Sequence, residues 1–112
     1  MLSLAELEAV LEQRKTADPE RSYVAQLHTK GLNKILEKLG EETTEAILAA
    51  KDYSISDNPN ARHAFVGEVA DLWFHTLVLL SHLNCSEHDI MQELSSRFGT
   101  SGIDEKASRK TN

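Results

Sequence analysis

The chain is poor in the residues that cross-link or interrupt a backbone. Among its 112 residues there is one cysteine, Cys85. A single cysteine excludes an intrachain disulfide and a multi-cysteine zinc site. Two prolines and five glycines leave few breaks. Aromatic residues are scarce, at 5%, so Leu, Ala, Ile and Val carry the apolar load, which suits helices. No strand-like alternation of apolar and polar residues runs through any segment. No apolar run reaches the length that a bilayer span requires. The first fifteen residues already hold Glu6, Glu8 and Glu12, which fits neither a secretory signal nor a transit peptide. The expectation is a cytoplasmic protein with no membrane partner. A surplus of positive charge is also missing. The net charge of −6 argues against nucleic acid as a partner. It leaves room for a phosphate-bearing ligand if a metal ion or a local basic cluster supplies the positive field.

What is present is helical periodicity. With 40% hydrophobic and 27% charged residues, the chain can bury a core, and its length suits one domain. Ser3 stands three residues before Glu6, a capping-box start for a first helix with Leu4, Leu7 and Leu11 on one face. Pro19 interrupts the chain after it. A long helical stretch is predicted from about Tyr23 to Asp52, with a candidate break at Gly31. Within it Leu32, Leu36, Leu39, Thr43, Ala46 and Ala50 alternate steps of four and three, the spacing of a buried seam. The segment "YSISDNPNARH" reads as a loop. A third, very apolar helix runs from His63 to Leu83. Ser86 caps a fourth that ends near Phe98, with Gly99 beyond it. The predicted fold is all-α, with four or five helices and short connections. Residues 1–98 form the domain and 99–112 a polar tail.

The acidic pattern carries the chemistry. "EKLGEETTEAI" places Glu37, Glu41, Glu42 and Glu45 within three helical turns. Two such charges about 5 Å apart repel by roughly 3 kcal/mol at an effective dielectric near 20. On this helix alone the pattern reads as a solvated face, with Lys38 one turn before Glu42 adding a few tenths of a kcal/mol. Glu42 lies about 80° from the centre of the seam, at its boundary. The third helix changes the balance. Glu68, Asp71, His75 and His82 share one face of a helix otherwise rich in Val, Leu, Phe and Trp. A carboxylate buried without a partner costs several kcal/mol. Either Lys34, Lys38 or Arg62 supplies salt bridges, or the two acid pairs enclose a divalent cation. Hard cations such as Mg²⁺ prefer oxygen ligands, and the two pairs together favour the cation.

"EETTE" followed by "EVADLWFH" has the form E-E-x-x-E, a spacer, then E-x-x-D. This resembles the signature of the all-α nucleoside triphosphate pyrophosphohydrolases, the MazG-like superfamily. The match to its phosphoribosyl-ATP pyrophosphohydrolase family is closer. Ser22 and Tyr23, Leu27, Gly31, Lys34, Lys38, the acidic block, "AAKD", Asp71 with His75, and the closing "SGIDEKASR" are similar to that family. The resemblance covers nearly the whole chain. Thr44 stands where the family often has an aliphatic residue, and "LWFH" where "LLYH" is common.

The resemblance implies Mg²⁺-dependent hydrolysis of N1-(5-phosphoribosyl)-ATP to the AMP form and pyrophosphate, in the second step of histidine biosynthesis. It places Glu42, Glu45, Glu68 and Asp71 at the metal-binding positions. Glu41 becomes the leading acid, as base or as a group behind the ligands. Lys34 and Lys38 are candidates for substrate phosphate contacts, or ordinary surface lysines. Ser22 and Tyr23 begin a helix whose N–H groups favour anions, or serve as a plain cap and a core tyrosine. His75 either orients Asp71 or is a satisfied core or interface histidine. His28, His63, His82 and His88 show no metal-ligand spacing with one another. Lys106, Arg109 and Lys110 belong to a tail read as disordered, as a phosphate-binding arm or as a subunit contact. No fused cyclohydrolase domain is expected. A third helix apolar on nearly all sides exceeds what its neighbours can cover, so a homodimer is expected, with the resemblance pointing the same way. Two rivals stand beside this reading: a house-cleaning nucleotide pyrophosphatase of the same superfamily, and a non-enzymatic helical interaction module.

Overall fold

Five helices make up the computed structural model, which describes residues 1–99. They are α1 (Leu4–Lys15), α2 (Tyr23–Lys30), α3 (Leu32–Ser56), α4 (Pro59–His82) and α5 (Glu87–Phe98). Each start has a side-chain cap except α3. Ser3 with Glu6 and Ser86 with Asp89 form capping boxes. The Ser22 hydroxyl accepts from Ala25 N–H, and the Asn58 side chain from Ala61 N–H. Gly31 separates α2 from α3 at φ 97°, ψ −177°, a region open essentially to glycine alone. The expected break therefore falls at Gly31. The tail residues Lys106, Arg109 and Lys110 lie outside the described residues.

The expected loop before the third helix shrinks to Asp57 and Asn58. Residues 53–56 continue α3, and Pro59 occupies the first turn of α4 behind the Asn58 cap, four residues before the expected start at His63. Polar composition suggested a loop; packing overrides it, because Tyr53 meets Phe65 across the hairpin with ring centroids 6.1 Å apart. Asp57 ends α3 in the left-handed region, at φ 44°.

So short a link makes α4 fold back antiparallel along α3. Leu11, Val24, Leu27, Ile35, Leu77 and Val78 form the core, with Leu7, Phe74, Leu79 and Leu80 packed on it. This core gathers α1 and α2 against the open end of the hairpin. Polar contacts tie the same end. Lys15 Nζ donates to the Ser81 carbonyl at 2.9 Å, the Ser81 hydroxyl bonds the Glu12 carboxylate, and His28 and His82 meet Nδ1 to Nδ1 at 3.0 Å. These two histidines, without ligand spacing in sequence, are neighbours in space.

Elsewhere the chain covers itself poorly. Ile47, Leu48, Ile55, Val66 and Trp73 are exposed, and α5 buries no residue. Cys85 is exposed and free. The radius of gyration is 17.0 Å, against about 13 Å for a compact chain of this length. By length and composition α4 is also apolar enough to cross a bilayer, with 22% of its most apolar window buried, a length that the interruptions by Glu68 and Asp71 disguised in the sequence. Those two acids in mid-helix, facing α3, set it apart from a uniformly apolar span.

Backbone geometry makes opposite demands at two glycines. A Cβ at Gly40 meets nothing within 4 Å, and neither does one at Gly31, yet only Gly31 has positive φ. Gly40→Ala is expected to stabilise by about 0.5–1 kcal/mol. Gly31→Ala is expected to destabilise by about 1–3 kcal/mol. Urea midpoints of the two variants against wild type check both signs.

Candidate metal site between α3 and α4

The hairpin sets the heights of the acids. Glu45 lies 12 residues before Asp57, and Glu68 lies 10 after Asn58; Glu42 and Asp71 lie 15 and 13 residues away. At 1.5 Å rise per residue, each pair stands within about 3 Å of the same level. The side chains converge accordingly. One oxygen each from Glu42, Glu68 and Asp71 lies within 4.8 Å of the others. Glu45 is exposed and stands outside this trio, but its carboxyl acts on those of Glu42 and Glu68 and raises both.

Rotation of α3 departs from expectation by about one residue. Ile35, Glu42 and Ala46 are its buried positions; of the expected seam Ala46 is buried, Leu39 and Ala50 are half-buried, and Leu32, Leu36 and Thr43 are exposed. Glu42 therefore sits in the middle of the buried face, at 7% exposure, and not at its boundary. The cause is tertiary: α3 turns its acids toward α4 and leaves an apolar stripe outside.

Salt bridges do not neutralise this group. Among the described residues the ion pairs are Lys34–Glu37 at 3.5 Å, Lys38–Glu41 at 2.9 Å and Arg97–Glu93 at 3.1 Å. Lys38 pairs with Glu41, not with Glu42. Glu42 Oε2 and Glu68 Oε2 are shielded from solvent and have no hydrogen-bond partner. Burial, then the neighbouring Glu45 charge, pushes the Glu42 carboxyl above the ordinary range. Contact with Glu45, then burial, does the same for Glu68. Glu41 moves the opposite way, held down by its hydrogen bond to Lys38. Orphaned oxygens, raised carboxyls and an all-carboxylate donor set are what a hard divalent cation would satisfy. The residues present fit such an ion.

Around the acids the other candidates take separate places. Lys38 and Lys34 stand on the same helix, about one and two turns before Glu42. The Ser22 hydroxyl is occupied as the α2 cap. Tyr23 is 45% exposed, stacks on Phe74 with centroids 6.0 Å apart, and lies within electrostatic reach of Lys38 and Glu42. His75 is buried, and its Nδ1 meets the main-chain carbonyl of Asp71, not the carboxylate, at 2.8 Å. Its Nε2 meets the Tyr23 hydroxyl at 3.0 Å. That contact joins residues 52 positions apart, and helical spacing within either segment holds no signal for it.

Comparison with known proteins follows the same residues. The family model for phosphoribosyl-ATP pyrophosphohydrolase matches residues 4–98. The phosphoribosyl-ATP pyrophosphatase of Hydrogenovibrio crunogenus is 55% identical over 109 residues, covering 97% of this chain and 94% of that protein. Those of Burkholderia vietnamiensis and Burkholderia mallei are 54% and 55% identical over 108 residues, covering 96% of this chain and 87% and 86% of theirs. The match runs through both acid pairs, the Gly31 break and all five helices, and the chain belongs to the phosphoribosyl-ATP pyrophosphohydrolase family.

Proposed function

We propose that this chain hydrolyses N1-(5-phosphoribosyl)-ATP to N1-(5-phosphoribosyl)-AMP and pyrophosphate, in the histidine pathway of the cytoplasm. The observation that carries the proposal is the acid group with two orphaned buried oxygens, in a chain matched to this family over residues 4–98. Glu42, Glu45, Glu68 and Asp71 would hold Mg²⁺. When bound, the ion supplies charge neutralisation for the phosphate oxygens and acidifies a bound water. A chain of net charge −6 needs that cation to receive a polyanion. Lys38 and Lys34, beside the acids, contact outer phosphate oxygens. The Lys38 ammonium is held in place by Glu41, and the same contact makes Glu41 a weaker base, so Glu41 acts by orienting Lys38. Residues 1–98 are the catalytic domain. The decisive assay is pyrophosphate release from phosphoribosyl-ATP and from a panel of free nucleoside triphosphates, with and without Mg²⁺. Preference for phosphoribosyl-ATP, lost in chelator, is expected. Preference for a free triphosphate would favour a house-cleaning enzyme, and no release would favour an interaction module.

If the acids serve a cation, they are under strain without it. A carboxyl whose folded value lies above its unfolded value favours folding in the protonated form. Its contribution is best at low pH and declines as pH rises from the unfolded value through the folded one. In chelator at about pH 8, Glu42→Gln should therefore unfold at the same or higher urea than wild type, with the advantage shrinking toward about pH 4.5. Activity should fall by orders of magnitude in Glu42→Gln and in Asp71→Asn. A large loss of metal-free stability in either variant would make these acids structural.

The same reading includes a homodimer. The low burial of α4, the absence of any buried residue in α5 and the extended shape support it. A cavity of about 430 Å³ between these helices is lined by Leu72, Trp73, Leu77, Ile90, Met91 and Leu94, among others. Exposed apolar area of this kind calls for a second surface. Sedimentation at micromolar concentration should show a dimer, and Trp73→Glu should shift it toward monomer. A monomer in wild type would overturn this part.

A further inference from the structure

His75 has a different kind of partner at each ring nitrogen. Nδ1 faces the Asp71 carbonyl oxygen at 2.8 Å. A carbonyl oxygen has no proton to give, so Nδ1 carries the hydrogen. In the neutral imidazole Nε2 then offers only a lone pair. The Tyr23 hydroxyl, 3.0 Å away, must be the donor. The histidine ring is 4% exposed and Phe74 stands edge-on to it at 4.9 Å, which fixes its orientation.

The hydroxyl proton of Tyr23 is thus spent inward, on α4. Its remaining lone pairs face away from His75, and the tyrosine itself is half exposed, where the charges of Lys38 and Glu42 act on it. A phenol in this state accepts hydrogen bonds and has none to give. Phosphate oxygens are acceptors as well and find no complement there. Sugar hydroxyls and the purine N–H groups are donors.

We propose that His75 is a positioning residue that makes the Tyr23 hydroxyl an acceptor, so that Tyr23 recognises an O–H or N–H donor on the nucleoside part of the ligand and not its phosphates. The proposal rests on the phosphoribosyl-ATP reading for its ligand, and Lys34 and Lys38 keep the phosphate role. Tyr23 thereby contributes selectivity for nucleotide over bare pyrophosphate.

Two measurements test it without turnover, so that an inactive wild type would sink the assigned reaction and leave this inference decidable. The first is ¹⁵N NMR of histidine-labelled protein at about pH 8, where an ordinary imidazole is neutral. The His75 pattern should be that of the Nδ1–H tautomer, and Tyr23→Phe should shift its Nε2 resonance. An Nε2–H tautomer, or an Nε2 signal indifferent to Tyr23→Phe, would overturn the assignment. The second is calorimetry with Mg²⁺ and two probes, AMP and pyrophosphate. Tyr23→Phe keeps the ring against Phe74 and should weaken AMP by about 3- to 10-fold, the loss of one neutral hydrogen bond. Pyrophosphate should bind both proteins within about twofold. His75→Leu should weaken AMP similarly, and the double variant no further, because both act through one hydroxyl. His75→Gln, which can place an amide oxygen near the position of Nε2, should recover most of the AMP affinity and serves if His75→Leu does not fold. Loss of pyrophosphate affinity in Tyr23→Phe, or additive losses for AMP, would overturn the proposal.

Discussion

Repulsion among Glu42, Glu45, Glu68 and Asp71 is the constraint on which this structure turns. Two of their oxygens are sealed from water without a partner. A fold optimised for its own stability would put a lysine there, and Lys34 and Lys38 stand within a few residues. Instead those lysines pair with Glu37 and Glu41 on α3, and neither forms an ion pair with the four acids. Protonation relieves that repulsion, as the raised Glu42 and Glu68 carboxyls show, and a bound cation would relieve it with the acids ionised. Stability and chemistry are therefore in opposition at the centre of the hairpin, and the apolar cluster at its open end carries the folding.

Much of this was legible in the sequence, for reasons that can be traced. Ser3 and Ser86 announce helix starts because a short hydroxyl satisfies N–H groups that nothing else reaches. Gly31 announces a break because few other residues tolerate its backbone. Both acid pairs stood out by spacing, and the resemblance tied them to a family. The rotation of α3 was not legible. Its apolar residues are numerous enough to define two overlapping stripes, one around Ile35 and one around Leu32 and Leu36, with Ala46 common to both, and periodicity cannot say which faces inward. The continuation of α3 through Ser56 was hidden by polar residues whose helix is held by contacts from α4. His28 with His82, and Tyr23 with His75, are meetings of distant segments, about which local pattern is silent.

The outer stripe of α3, the α4 surface around Trp73 and the unburied α5 belong to one physical problem. A small chain has placed an acid group between its two longest helices and leaves much of its apolar surface exposed. Its core engages only the end of the hairpin where α1 and α2 lie. The rest is left for a second surface, so folding and association become a single equilibrium if that surface is another copy, and concentration enters stability directly.

The Asp57–Asn58 link is a ruler. It holds a left-handed residue, a cap and the first proline of α4 in the shortest connection that lets two long helices return on each other. Everything ten or more residues up the hairpin inherits its register from those two positions. One residue added there would turn α4 by about 100° relative to α3, carrying Glu68 and Asp71 off the shared face while leaving every acid present. The length of this two-residue link thus fixes the acid site as firmly as the acids themselves do, although none of the link residues touches it.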